Sequence, residues 1–180
     1  NRQAASQART PQPDRSAQRG SATGSPRLNV IPDKAAAARK VAEEIVAEIR
    51  RNPKAVIGLA TGSTYIPVYN EVVLLLRDLR DRGINVDLSQ VRTFNLDAYV
   101  NPPAGQSYRE YMNTNLFHRL QEFGLNLDNT NMPYINGTET PQEAVERYHA
   151  EIVAAGGIDV WAIGIGYDGH YAFLEPAAII

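Results

Sequence analysis

From Leu28 onward the apolar residues follow two alternating rhythms. Over residues 33–50 they recur every four positions, so Val41, Ile45 and Ile49 share one face of a helix that Asp33 can cap. Residues 54–59 (KAVIGL) form instead a short continuous apolar run, the pattern of a strand buried on both faces. That run ends in Ala60-Thr61-Gly62-Ser63-Thr64, before a second helical stretch over 66–82. The next strand is predicted at 90–94, ending at Asn95-Leu96-Asp97, and 108–123 reads as a helix. Thr140-Pro141-Gln142-Glu143 makes a capping box with proline in the first turn; the helix it launches carries Val145, Tyr148 and Ile152 on one side and stops at Gly156-Gly157. Residues 158–163 (IDVWAI) read as a third buried strand. Strands separated by helices predict right-handed βαβ units, hence an α/β fold with a mostly parallel sheet and helices on both faces.

In open sheets of this kind ligands bind beyond the carboxyl ends of the strands, where loops and helix N-termini converge. Three loops qualify: 60–64, 95–99 and 164–175. In the first, Gly62 allows close backbone approach, and the N–H groups of Gly62, Ser63 and Thr64 can face an anion at a helix N-terminus; the same residues also suit an ordinary helix start. The second places Asp97 just past a buried strand, either as a partly desolvated base or as a capping residue. The third combines Gly164, Gly166 and Gly169, spaced G-x-G-x-x-G, with Asp168, His170 and Glu175. A dinucleotide-binding turn requires a helix directly after the glycines, and Phe173-Leu174-Glu175-Pro176 is a poor continuation. An imidazole flanked by two carboxylates is oriented and held in one tautomer, which favours acid-base chemistry. The spacing lacks an H-x-x-x-H pair, so no metal is expected. His118 and His149 have no such company and read as ordinary helical residues.

Composition narrows the partners. A chain of 180 residues, 43% hydrophobic, can bury one substantial core. A net charge of -2 supplies no cationic field, so no nucleic acid is expected. There is no cysteine, which suits a reducing cytoplasmic interior, and no apolar run nears the ~20 residues of a membrane span, so no membrane partner is expected. Residues 1–27 hold no Val, Ile, Leu, Phe, Tyr or Trp and read as a disordered low-complexity tail, leaving 28–180 as the α/β domain. The composition is compatible with a homo-oligomer.

Taken in order, Thr61-Gly62-Ser63-Thr64, Phe94-Asn95-Leu96-Asp97-Ala98-Tyr99, Gln106-Ser107-Tyr108, Ala155-Gly156-Gly157-Ile158-Asp159 and Gly164-x-Gly166-x-Asp168-Gly169-His170-x-Ala172-Phe173-x-Glu175-Pro176 resemble glucosamine-6-phosphate deaminases, whose superfamily also holds 6-phosphogluconolactonases. The resemblance implies a Rossmann-like three-layer α/β fold and conversion of glucosamine 6-phosphate to fructose 6-phosphate and ammonia, without metal or other cofactor. It implies that His170, tuned by Asp168 and Glu175, shuttles the proton that opens the sugar ring. Asp97 would then move the proton between C2 and C1, while Gly62, Ser63 and Thr64 hold the phosphate. Ala98 stands where the family usually has Glu, Leu174 where it has Asn, and Ser63 where it has Gly. The family also continues well past this Glu-Pro segment, so a chain ending at Ile180 is expected to leave an incomplete sheet with an exposed apolar edge. Alternatives are a 6-phosphogluconolactonase-type hydrolase using His170 as base, and a non-catalytic sugar-phosphate-binding module.

Overall fold

The structure, a computed structural model, describes residues 28–174. The expectations for the tail at 1–27 and for Glu175 fall outside them. Ile31 opens the unit that holds every element of the fold.

Four parallel strands form one sheet in the order β3-β2-β1-β4. They are β1 Val56–Leu59, β2 Arg92–Asn95, β3 Thr130–Asn131 and β4 Val160–Trp161. Every residue of β1 is buried, as its continuous apolar run requires of a strand with a neighbour on each side. The helices are α1 Lys34–Arg51, α2 Tyr65–Asp81, α3 Tyr108–Met112, α4 His118–Leu120 and α5 Pro141–Ala154. Asp33 caps α1 by accepting from the Ala36 N–H at 2.8 Å. Thr140 and Glu143 form the expected capping box on α5, with Pro141 in its first turn.

Alternation along the strands decides which helices cover which face. Ile45 of α1, Val72 of α2 and Leu120 of α4 meet Ile57 and Thr93 around a small internal cavity. Phe94, one residue on, must point the other way, and its ring packs edge-on against Tyr148 of α5 at 5.7 Å. The Tyr148 hydroxyl also donates to the Asn95 carbonyl at 2.8 Å, tying α5 to the end of β2. The result is three layers, with α5 on the second face.

Three elements depart from the sequence reading. The run 158–163 was expected to be a buried strand, but only Val160–Trp161 pairs, and Trp161 and Ile163 are 45% and 46% exposed. Among the described residues β4 lies at the sheet edge, paired on one side to β1. It is secured by Asp159, whose carboxylate accepts from the Val56 N–H at 2.8 Å. The helix expected over 108–123 is broken: a π-helical turn, Asn113–Phe117, separates α3 from α4, and a 3₁₀ turn, Gln121–Phe123, closes the segment at left-handed Gly124. The wider turn accompanies the adjacent buried side chains Leu116 and Phe117, which a single α-helical stripe does not accommodate. β3 is too short to produce any periodicity. Val145, Tyr148 and Ile152 do share a side of α5, but that side lines an open apolar groove of about 570 Å³, and Val145 is 63% exposed.

Candidate active site

The three loops gather at the carboxyl ends of the strands. After β1 the chain turns at Gly62, whose φ of 118° lies in the left-handed region that glycine adopts without strain. Two tyrosines grip this loop from beneath. The buried Tyr69 hydroxyl donates to the Ala60 carbonyl, and the Tyr111 hydroxyl donates to the Gly62 carbonyl at 2.6 Å. The Gly62 carbonyl also accepts the Tyr65 N–H that opens α2, at 3.0 Å. Among the described residues no acceptor takes the backbone N–H of Thr61, Gly62, Ser63 or Thr64. Unused donors at the start of a 17-residue helix are the ingredients of an anion site.

The second loop begins one residue beyond β2. Leu96 donates to the Leu59 carbonyl at 3.0 Å, which extends the pairing and brings Asp97 to the mouth of the first loop. There the half-buried Asp97 carboxylate accepts from the Thr61 hydroxyl at 3.4 Å. Burial pushes its pKa above the ordinary value, and the Thr61 hydrogen bond offsets part of that rise. The Tyr108 hydroxyl sits beside those of Tyr99 and Thr61 and within the field of Asp97; burial is the first cause that lifts its pKa to about 12. Ala98 faces the apolar groove beside α5 rather than offering a polar group.

In the third loop each glycine has a separate structural reason. A Cβ on Gly164 would stand 3.0 Å from the Tyr65 ring, and one on Gly166 would stand 2.7 Å from Nε2 of His170. Gly169 has a φ of 92°. The imidazole therefore lies close against Gly166, with its Nδ1 2.5 Å from Oδ1 of Asp168. Hydrogen bonds from the backbone N–H and then the ring of His170 hold Asp168 below the ordinary carboxylate range. Beyond Gly169 the chain makes a tight turn in which Tyr171 and Leu174 bond to each other through their backbones, with Ala172 at a φ of 50°. A helix is not formed there, so the glycine spacing does not build a dinucleotide turn.

Thr61 and Asp97 are thus in contact, and the third loop joins them through Phe173, whose ring lies 5.2 Å from that of Tyr99 and 6.3 Å from that of Tyr108. Asp168 and His170 pair with each other and make no hydrogen bond to Asp97 among the described residues. Ser63 and Thr64 are exposed at the loop surface, and Leu174 is 46% exposed. Sequence reasoning named Tyr99 and Tyr108 only as parts of motifs and missed Tyr111.

The family of glucosamine-6-phosphate isomerases and 6-phosphogluconolactonases matches residues 33–178. The chain belongs to this family. Glucosamine-6-phosphate deaminase 1 of Giardia intestinalis is 44% identical over 142 residues, covering 77% of this chain and 50% of that protein. Glucosamine-6-phosphate deaminase of Clostridium perfringens is 37% identical over 153 residues, covering 83% of this chain and 59% of the relative. The chain spans about half the length of the curated relatives it matches. Among solved structures, a monomeric glucosamine-6-phosphate deaminase superposes with a TM-score of 0.65 at 26% identity, over 78% of this chain and 56% of that one. The 6-phosphogluconolactonase of Plasmodium vivax, at 21% identity and a TM-score of 0.61 over 81% of this chain and 50% of its own, shares the fold. The isomerase/lactonase family fold accordingly accounts for the parallel sheet and for the three loops at its carboxyl edge.

Proposed function

We propose that this protein converts glucosamine 6-phosphate and water to fructose 6-phosphate and ammonia. The observation that carries the reading is the half-buried Asp97 carboxylate, held by Thr61 beside a loop of unused backbone N–H groups. The deaminase names of the relatives above favour this substrate over a lactone. In the reaction His170, oriented by Asp168, moves the proton that opens the pyranose ring. Asp97 then takes the proton from C2 of the open sugar and returns it at C1, so the amine-bearing carbon becomes an imine. Water adds to that carbon, and the carbinolamine expels ammonia. The N–H groups of Gly62, Ser63 and Thr64 hold the 6-phosphate, fixing C2 opposite Asp97. Glu175 is assigned beside His170 on the family pattern alone. The scheme draws on side chains, backbone N–H groups and water.

The protein expressed from its complete coding sequence is expected to release ammonia and fructose 6-phosphate in equal amounts from glucosamine 6-phosphate. Hydrolysis of 6-phosphogluconolactone without ammonia release would replace this reading with the lactonase one, and saturable phosphosugar binding without turnover would replace it with a binding module.

The Thr61 contact makes a further expectation. Its hydroxyl favours the charged carboxylate, so Thr61→Val removes the one influence lowering the Asp97 pKa. The base then protonates at a higher pH. The acid limb of the kcat/KM profile should shift upward in pH, while an unmoved limb would detach Thr61 from the base.

A further inference from the structure

We propose that Tyr111 is a positioning residue for the substrate phosphate, acting through the Gly62 carbonyl to aim the Ser63 N–H out of the loop. The inference rests on the sugar-phosphate reading above and concerns which residue sets the loop's polarity. A turn of backbone carries as many carbonyl oxygens as N–H groups, and an anion is attracted by one set and repelled by the other. In a trans peptide the C=O of one residue and the N–H of the next point in opposite directions, and no cis peptide is present among the described residues. Fixing a carbonyl inward therefore fixes the following N–H outward.

The loop has two such fixings. Tyr69, from α2, holds the Ala60 carbonyl, which turns the Thr61 N–H outward. Tyr111, from the far end of α3, holds the Gly62 carbonyl at 2.6 Å, reinforcing the longer 3.0 Å bond from the Tyr65 N–H, and so turns the Ser63 N–H outward. The backbone can follow because Gly62 sits at a φ of 118°, and the Thr61 to Thr64 N–H groups find no acceptor among the described residues. Tyr111 itself is fixed by its helix: its N–H bonds to the Ser107 carbonyl at 3.0 Å, one turn above the Ser107–Glu110 capping box. Burial raises its pKa, with the Gly62 hydrogen bond opposing the rise, so the hydroxyl keeps its proton and stays a donor at neutral pH. No contact between Tyr111 and the sugar is needed.

The test is Tyr111→Phe, which deletes one oxygen and keeps the ring. Glucose 6-phosphate, which carries the phosphate but no amine to release, serves as the calorimetric probe. The variant is expected to bind it about 3- to 10-fold more weakly than wild type, the reach of one neutral hydrogen bond. The KM for glucosamine 6-phosphate should rise by a similar factor with kcat within about twofold, because Asp97 is untouched. Amide spectra of the wild type offer a measurement independent of the variant's folding: adding glucose 6-phosphate should move the Ser63 N–H signal among those of the loop. Equal affinity of both proteins, or an unmoved Ser63 signal in a phosphate-bound wild type, overturns the role of Tyr111 alone. Failure of the wild type to bind glucose 6-phosphate overturns the sugar-phosphate reading and this inference with it.

Discussion

Asp97→Asn is expected to lower kcat by about 10²- to 10⁴-fold, the range over which a positioned general base contributes, while leaving the protein as stable as wild type or more so at neutral pH. The two halves of that expectation have one cause. Asp97 is carried past the end of β2 into a half-buried position because the Leu96 N–H still bonds to the Leu59 carbonyl, which keeps the chain on the sheet. Burial raises the cost of its charge, so its folded pKa exceeds its unfolded one. A carboxyl group shifted in that direction favours the folded state only while it is protonated. The favour is complete below the unfolded pKa and is lost as pH rises through the folded one. At neutral pH the wild type therefore bears the cost of a desolvated charge that asparagine does not carry, while the amide oxygen can still accept from Thr61. Thermal midpoints of the two proteins measured across pH should coincide in acid and separate in favour of the variant toward neutrality. Ammonia release measured on the same samples should show the loss. A variant that turns over glucosamine 6-phosphate as fast as wild type would remove Asp97 from the chemistry, and a variant less stable at neutral pH would refute the burial argument.

What could be read without coordinates was set by how local the cause of each feature is. The α1 and α5 N-termini were legible because a cap and its partner lie within three residues, as in Asp33 with Ala36 and Thr140 with Glu143. β1 was legible because a strand buried on both faces must be apolar throughout. The same argument misread 158–163, since an apolar run does not say whether a second neighbour covers it, and Trp161 proves half exposed. The π-helical turn at Asn113–Phe117 answers to packing against α2, a long-range cause with no signature in the local pattern. In the site, Asp97, Asp168 and His170 announced themselves by residue type and by position after strands. Thr61, Tyr108 and Tyr111 did not, because hydroxyls are common and only the meeting of α3 with the β1 loop gives these three a task.

His170→Asn is expected to reduce kcat by about 10²- to 10⁴-fold on the cyclic substrate, as loss of a positioned proton shuttle should. Its thermal midpoint should move by no more than a degree or two. The second part follows from exposure. The Asp168 and His170 side chains are 40% and 38% exposed, and pairs that open to water contribute little to stability. The geometry is nonetheless constrained at three points: Asp168 at Nδ1, Gly166 against the ring, and a 2.7 Å bond from the Gly166 N–H to the His170 carbonyl. Since that restraint adds little to stability, its effect is to hold the imidazole in a fixed direction with Nδ1 engaged by Asp168, which is what ring opening requires and what folding does not. Asp168, held below the ordinary carboxylate range, remains charged through the assay range and keeps the tautomer fixed. His118→Asn provides the contrast: His118 is an exposed residue of α4, and its removal should leave kcat unchanged. Equal turnover by the His170 and His118 variants would show that another group opens the ring, and a large drop in thermal midpoint for the His170 variant would assign the pair to folding.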